Sequence, residues 1–152
     1  MPHIHDLIDF TVGVYIFHED RVLLVHHKKL ENWLPVGGHI ELDQDPEEAL
    51  FQEVQEECGL EIELFGTRPD TESEDTKFLV PPDFLDIHKI SDTHRHVGLM
   101  YIATSKTDKV TLAENEHNEI RWFKKEELDD AKFGVPHEIV YYCKEAFKRL
   151  GV

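Results

Sequence analysis

The segment from Gly37 to Leu60 reads GGHIELDQDPEEALFQEVQEECGL and constrains the fold of this chain more than any other part. Its first half is rich in turn-forming residues. Its second half predicts a short helix, because Asp45 is a favoured N-cap, Pro46 suits the first helical position, and Glu48 completes a capping box with Asp45. Gly59 predicts the end of this helix, since glycine readily adopts the left-handed backbone conformation that closes helices.

One face of the predicted helix is crowded with carboxylates. Glu53, Glu56 and Glu57 stand at i, i+3 and i+4 and therefore share a face. The predicted apolar side lies about a third of a turn away and consists of Phe51, Val54 and Cys58. Like charges one turn apart destabilise a helix by roughly 0.2–0.5 kcal/mol per pair, and a divalent cation such as Mg²⁺ or Mn²⁺ would remove that cost. A solvated acidic face is the alternative interpretation.

The whole stretch resembles the Nudix box, the signature of the Nudix hydrolases. The family pattern is Gly, five residues, Glu, seven residues, Arg-Glu, an aliphatic residue, any residue, Glu-Glu, any residue, Gly and an aliphatic residue. On this chain the pattern runs from Gly38 to Leu60, with Gln44 where the family has Glu and Gln52 where it has Arg. The resemblance implies an α/β (α+β) fold, an α/β/α sandwich with a mixed β-sheet between helices, and a single domain over residues 1–152.

The resemblance also implies an activity, the metal-dependent hydrolysis of a phosphoanhydride bond. The substrate is expected to be a nucleoside diphosphate linked to another group, such as a nucleoside triphosphate or a nucleotide sugar, and the cofactor Mg²⁺ or Mn²⁺. Glu53, Glu56 and Glu57 are then catalytic, with Glu53 either the water-orienting base or a further metal ligand. The expected metal ligands are Gly38, through its carbonyl, Glu53, Glu56, Glu57 and Glu116.

The choice of Glu116 rests on its position in the segment ENEHNEIRWF. Nudix proteins commonly supply one more acidic ligand a few residues before a strand aromatic, and Glu116 stands six residues before Trp122. Glu114 and Glu119 are alternatives. A solvated acidic loop without metal is a further interpretation of the same residues.

Four residues outside the helix are predicted to bind substrate. Lys28 belongs to a small basic cluster beside the glycine pair, where it either contacts phosphate or ends a strand in solvent. By resemblance, Glu41 is expected to reach the metal site, and His39 is expected to lie near that site. Phe84 either stacks on a nucleobase or belongs to the core.

The remaining sequence predicts alternating strands and helices. Residues rich in β-branched and aromatic side chains predict strands over 8–17, 21–27, 61–65 and 95–104, with a short edge strand at 110–112. A polar loop is expected to run into a strand over 114–123, followed by a helical turn at 125–129. The segment 66–94 is expected to be long and irregular, and residues 136–150 have the apolar spacing of a closing helix.

Charge and composition exclude several classes of function. The formal net charge of −16 argues against a nucleic-acid surface, which would need a basic patch. The apolar runs are far shorter than the ~18 residues of a membrane span, and the first residues lack the features of a signal peptide. We therefore expect a cytoplasmic protein with no nucleic-acid or membrane partner, in which Cys58 and Cys143 are free thiols.

The chain contains eleven histidines, which raise the question of a zinc site. His3 and His5, like His94 and His96, alternate as metal ligands on a strand can. No cysteine or carboxylate pattern accompanies them in the sequence, so we expect surface histidines instead.

The two glutamines in the box also support a second function. Gln52 can donate a hydrogen bond but carries no charge, and Gln44 cannot act as a base. We expect a slower enzyme, or one that needs more Mg²⁺ or Mn²⁺. The alternative is a catalytically weak or silent domain that binds a nucleotide as a sensor. In both cases the partner is a nucleotide-type small molecule, and a homodimer is allowed because Nudix proteins are often dimers.

Overall fold

The computed structural model describes residues 4–152, so His3 lies outside the described residues. The strands are β1 (Ile8–His18), β2 (Arg21–His27), β3 (Trp33–Leu34), β4 (Val36–His39), β5 (Glu63–Leu64), β6 (Phe84–Ser91), β7 (His94–Thr104) and β8 (His117–Lys124). The helices are α1 (Pro46–Glu57) and α2 (His137–Leu150), and a 3-10 turn covers Lys125–Asp129.

Strand β1 is the centre of a mixed sheet. It pairs in parallel with β7 along its whole length, and it pairs antiparallel with β2 at one end and with β4 at the other. Strand β2 also pairs with β3 and β8, and β7 also pairs with β5 and β6. All eight strands formed by residues 4–152 thus join one sheet around β1.

The two faces of the sheet carry separate hydrophobic cores. Because side chains alternate along a strand, Val12 and Ile16 of β1 pack in the core that contains α1, whereas Tyr15 and Phe17 pack in the core that contains α2. Helix α1 contributes Ala49, Leu50, Val54 and, just after its end, Cys58 to its core. This arrangement confirms the predicted α/β/α sandwich.

Helix α1 begins and ends as the sequence predicts. The backbone N–H of Glu48 donates to Asp45 Oδ1 at 2.9 Å and the N–H of Asp45 donates to Glu48 Oε1 at 3.1 Å, which forms the capping box. Gly59 follows the helix with φ of +70°. The predicted apolar side is wrong at Phe51, which is 42% exposed, because the helix turns Leu50 rather than Phe51 toward the sheet.

Three other predicted elements differ in the structure. The last part of the segment 66–94 is strand β6, which aligns against β7 from Phe84 to Ser91. The predicted strand at 61–65 shortens to Glu63–Leu64. The segment 110–112 is not a strand, and the N–H of Thr111 instead donates to the carbonyl of Cys58.

The loop between β5 and β6 is attached to the start of α1 by two ion pairs. Arg68 Nη2 lies 2.6 Å from Glu47 Oε1, and Lys77 Nζ lies 2.6 Å from Asp45 Oδ2. Buried Glu47 also accepts the N–H of Val80. The loop therefore runs beside the carboxylate helix.

Cys58 and Cys143 are buried free thiols, as predicted. No helix within residues 4–152 is both long and apolar enough to cross a membrane.

Candidate active site

The paired glycines place a strand directly against helix α1. Gly37 and Gly38 lie within β4, paired with Gly13 and Val12 of β1, and not in the turn that the sequence suggests. A β-carbon on Gly37 would collide with the carbonyl oxygen of Val12, and one on Gly38 would lie 2.5 Å from Glu53 Oε1. Glycine is therefore required here for close approach of backbone to carboxylate.

Glu57 is the most deeply buried carboxylate of the box, at 3% exposure. The N–H of Gly37 donates to its Oε2 at 3.2 Å, and His117 Nε2 lies 3.5 Å from the same oxygen. Burial raises the pKa of Glu57, and the contacts with His117 and Gly37 partly offset that rise. The carboxylate is thus held in place by two partners on different strands.

Glu53 is also buried, at 8% exposure. Burial, together with the negative charges of Glu57, Glu56 and Glu116, raises its pKa to about 8. Two carboxylates one turn apart in a poorly hydrated site cannot both ionise without a compensating positive charge. Glu53 and Glu57 are therefore not part of a solvated acidic face.

Glu116 is the one of the three predicted loop acids that joins this site. Single ligand atoms of Glu57, Glu116 and His117 lie within 4.8 Å of one another. Glu114 is exposed in the preceding turn, and Glu119 pairs with His26 in the β2–β8 ladder.

His117 is a site residue that the sequence analysis missed. It is 2% exposed, and neither of its ring nitrogens has a hydrogen-bond partner among residues 4–152. In the sequence it is one of eleven histidines, and its position next to Glu116 is a weak signal for a role in the site. Its burial becomes visible only when β8 is paired with β2.

The two glutamines that depart from the family pattern contact each other. Gln44 Nε2 donates to Gln52 Oε1 at 2.5 Å, and Gln52 Nε2 donates to Glu56 Oε1 at 2.8 Å. Gln44 Oε1 also accepts the N–H of Glu41. Glu56 is thus hydrogen-bonded to an uncharged amide, which is itself held by a second amide. Unlike Glu53 and Glu57, Glu56 is solvent-exposed.

The four predicted substrate-binding residues fall in different places. Lys28 is exposed, and its N–H donates to the carbonyl of Glu116 at 3.1 Å, which puts it beside the carboxylates. Glu41 is exposed in the loop before α1. His39 follows Gly38 on β4, so its side chain lies on the opposite face of the sheet from the box glutamates, and its imidazole Nε2 lies 3.2 Å from Asp9 Oδ2.

Phe84 is another predicted substrate-binding residue that the site does not include. It is 9% exposed and packs in the α2 core, where its ring stacks on Tyr142 at a centroid distance of 4.6 Å. The structure thus places Phe84 in the core, which was the alternative interpretation, because β6 turns this side chain toward α2.

Comparison with known proteins identifies the family. A family model described as NUDIX domain matches residues 8–142, which is most of the chain. The chain belongs to the Nudix family. The Nudix domain spans every strand and α1, and it ends within α2.

A solved relative supports this assignment over nearly the full length. The Nudix domain is 32% identical to a hydrolase of the NUDIX family from Clostridium perfringens, with a TM-score of 0.81 over 93% of this chain and 97% of that one. A C. elegans Ap4A hydrolase binary complex, 18% identical over 93% of this chain and 96% of that one, has a TM-score of 0.70 and shares the fold. Together with the family match, the relative from Clostridium perfringens confirms the predicted enzyme class, a Nudix hydrolase.

A curated relative is more distant. The Nudix domain is 23% identical over 107 residues to a protein of Lactococcus lactis subsp. cremoris (strain MG1363) named "Probable DHNTP pyrophosphohydrolase". The match covers 70% of this chain and 60% of that protein, so the chain spans less than two thirds of this relative's length.

Proposed function

We propose that this protein hydrolyses a phosphoanhydride bond in a nucleoside diphosphate linked to another group, with Mg²⁺ or Mn²⁺ as cofactor. The observation that carries the proposal is the burial of Glu53 and Glu57 side by side on α1. Burying two carboxylates in one site is costly unless a cation compensates them. Binding of a divalent ion would remove this cost and would therefore be favourable.

The donor set fits such an ion. Glu53, Glu57 and Glu116 offer carboxylate oxygens, which suit Mg²⁺ and Mn²⁺, and the buried His117 has a ring nitrogen near Glu57 with no hydrogen bond among residues 4–152. Glu56 would hold an ion from the exposed edge of the site, and Gly38 would add its carbonyl. The ion would neutralise the diphosphate and acidify a water molecule.

The chain's own residues would position water and move a proton. Burial and the neighbouring carboxylates raise the pKa of Glu53 to about 8 in the metal-free site. A bound cation would favour its ionised form, which could then accept a proton from water. The water oxygen then attacks phosphorus, the bridging P–O bond breaks, and the phosphate leaves with the bonding electrons. Glu57, held by Gly37 and His117, would orient the site.

Substrate contacts would come from residues at the rim. Lys28 lies beside Glu116 and supplies a positive charge for phosphate on a strongly acidic protein. Glu41 lies in the exposed loop before α1, whereas the side chain of His39 lies on the opposite face of the sheet from the box glutamates. The names of the relatives direct the choice of substrates to test, a pterin triphosphate of the DHNTP type and a dinucleoside polyphosphate of the Ap4A type.

A substrate panel tests this proposal. Nucleoside triphosphates, nucleotide sugars, dinucleoside polyphosphates and a pterin triphosphate are incubated with the protein and Mg²⁺ or Mn²⁺, and the released products are identified. We expect hydrolysis of at least one class, reduced by about 10²-fold or more in Glu57→Gln because a carboxylate that orients the site is lost. Glu61→Gln, an exposed position after α1, is the matched control and should retain activity.

The sensor function is the second candidate. It is favoured by the two uncharged side chains, Gln44 and Gln52, at box positions where the family has Glu and Arg. In this case the protein binds one of the same ligands without releasing phosphate or a nucleotide. Calorimetry on the same panel separates the two functions. Binding with no product after prolonged incubation in Mg²⁺ and Mn²⁺ would contradict the enzymatic proposal.

A further inference from the structure

A second polar cluster lies at the N-terminal ends of β1 and β7, on the other side of the sheet from the box glutamates. Asp9 and His96 are direct partners in the parallel β1–β7 pairing, and His94 begins β7. His39 ends β4, and it faces away from α1 because successive residues of a strand alternate and Gly38 faces Glu53.

Two of the histidines lie close to the carboxylate of Asp9, and the third lies beside both of them. His39 Nε2 lies 3.2 Å and His94 Nε2 lies 3.3 Å from Asp9 Oδ2. The ring of His96 lies 4.9 Å from that of His39 and 5.0 Å from that of His94, centroid to centroid. Single ligand atoms of Asp9, His94 and His96 all lie within 4.8 Å of one another.

These distances match the edges of a tetrahedral metal site. Zinc bonds to histidine nitrogen and carboxylate oxygen at about 2.0–2.2 Å, so two ligand atoms of a tetrahedral site lie about 3.3–3.5 Å apart. The two measured distances from Asp9 Oδ2 fall close to that value. Asp9 and His94 are 0% and 5% exposed, and His39 is 11% exposed in its side chain, so the cluster is not a surface feature.

The orientation of His94 supports a cation as the shared partner. Its Nδ1 lies 2.9 Å from the carbonyl oxygen of Asp6, which can only accept, so Nδ1 carries a proton. In a neutral ring, Nε2 then directs its lone pair toward the carboxylate of Asp9. A cation bound between Nε2 and the carboxylate would interact favourably with both lone pairs.

The surroundings of the carboxylate resemble the outer partners of a metal site. The N–H groups of Ile4 and His5 donate to Asp9 at 3.2 and 2.7 Å and fix its orientation. Backbone carbonyls that accept the second N–H of a histidine, as Asp6 does for His94, commonly orient metal ligands.

We propose that Asp9, His39, His94 and His96 form a binding site for a zinc-class transition-metal ion. Three imidazoles and one carboxylate suit Zn²⁺ and other late first-row metals, whereas Mg²⁺ prefers oxygen ligands. The ligand atoms of Asp9, His94 and His96 already lie together, and His39, 3.2 Å from Asp9 Oδ2, would supply the fourth ligand that structural sites have. The ion would join β1, β4 and β7 at their ends.

Spacing along the chain does not indicate this site. Asp9 lies far from His94 and His96 along the chain, and only the parallel pairing of β1 with β7 brings them together. The expectation that His94 and His96 are surface histidines is wrong for buried His94 and does not hold for half-buried His96.

Cobalt(II) is the probe for the test, because a tetrahedral cobalt centre absorbs visible light far more strongly than an octahedral one. Tag-free protein is stripped of metal and titrated with Co²⁺, and the bound Co²⁺ is quantified. The variants are His39→Gln and His96→Gln in the proposed site, Glu57→Gln in the box, and His88→Gln as matched control. His88 lies nearby on β6 with its ring hydrogen-bonded to Asp86.

We expect one equivalent of tetrahedral Co²⁺ per chain, displaced by Zn²⁺, in the wild type, Glu57→Gln and His88→Gln. His39→Gln and His96→Gln should weaken Co²⁺ binding at least about tenfold, the lower end of the loss seen even for outer partners. Zn²⁺ should also raise the Tm of the wild type.

Two results would overturn the proposal. One is a wild-type protein that binds no tetrahedral Co²⁺. The other is a signal abolished by Glu57→Gln and kept in His96→Gln. The Co²⁺ titration of the wild type tests the proposal even if a variant does not fold. Its result does not depend on hydrolytic activity.

Discussion

The backbone of Gly38 lies directly against the carboxylate of Glu53, so that a β-carbon on Gly38 would stand 2.5 Å from Glu53 Oε1. Glu53 is buried on α1, and β4 is held by β1, so neither partner is free to move far. A β-carbon on Gly38 would therefore push the carboxylate of Glu53 out of its present position.

Gly38→Ala should therefore displace Glu53 and reduce turnover. A misplacement of ~1 Å at a catalytic group can cost about 10²-fold in rate, and we expect a loss of that order in kcat. Steady-state kinetics on the substrate found by the panel measures the effect. Gly151→Ala, at a left-handed position far from the site with φ of +73°, controls for lost stability. Equal kcat values in Gly38→Ala and the wild type would contradict the prediction.

The stability of the metal-free protein should fall as pH rises. Glu53 has a pKa of about 8 in the folded state and an ordinary value of 4.5. The folded protein therefore binds more protons than the unfolded chain between these values, and its free energy of unfolding decreases as pH rises from 4.5 to about 8. Urea denaturation at several pH values, in the presence of a chelator, measures this slope.

Glu53→Gln should make that slope shallower, because the amide does not titrate. Glu57 remains in the variant, so part of the slope should persist. Glu61→Gln is the exposed control and should follow the wild-type curve. Parallel curves for Glu53→Gln and the wild type would show that Glu53 does not titrate in this range.

Gln52→Arg should raise activity when metal is limiting. Gln52 Nε2 lies 2.8 Å from Glu56 Oε1, and arginine there would add a positive charge that favours the ionised carboxylate. The gain should be up to about fivefold, since exposed ion pairs contribute at most about 1 kcal/mol. The measurement is a Mg²⁺ and Mn²⁺ titration of initial rate. Gln55→Arg carries the same charge change on the exposed side of α1, and an equal gain there would refute the specific role of Gln52.

Glu116→Gln should weaken activation by metal. Glu116 shares a cluster with Glu57 and His117, so loss of its charge should raise the metal concentration for half-maximal rate by about tenfold or more. Glu114→Gln and Glu119→Gln remove the same charge from the neighbouring positions and should leave that concentration unchanged. If all three variants raise this metal concentration equally, the effect comes from the loss of one negative charge anywhere in the loop, and Glu116 is not a ligand.

Phe84→Leu should change stability more than substrate binding. The ring is buried against Tyr142 in the α2 core, and replacement by another large apolar side chain should cost about 1 kcal/mol in the free energy of unfolding. KM should stay unchanged. Leu85→Ala, at a neighbouring side chain that is 68% exposed, should have little effect on either quantity. A large rise in KM for Phe84→Leu would contradict this prediction and would indicate that Phe84 stacks on a nucleobase.

Local patterns in the sequence were sufficient for the box helix and for several strands, whereas the class of the fold was implied by the resemblance to the Nudix box. Asp45, Pro46 and Glu48 specify the start of α1, and Gly59 specifies its end, because capping depends only on residues within one turn of each other. The shared face of Glu53, Glu56 and Glu57 follows from helical periodicity in the same way. Strands β1, β2 and β7 were predictable because their side chains are strongly apolar or β-branched.

Only the tertiary structure decided which side chains meet across strands. His117 comes to Glu57 through the pairing of β8 with β2, and Asp9 comes to His94 through the pairing of β1 with β7. It also decided that Gly37 and Gly38 form a strand instead of a turn. The physical reason is that sheet register depends on which apolar faces pack together over long separations, and periodicity within one segment carries no information about its partner.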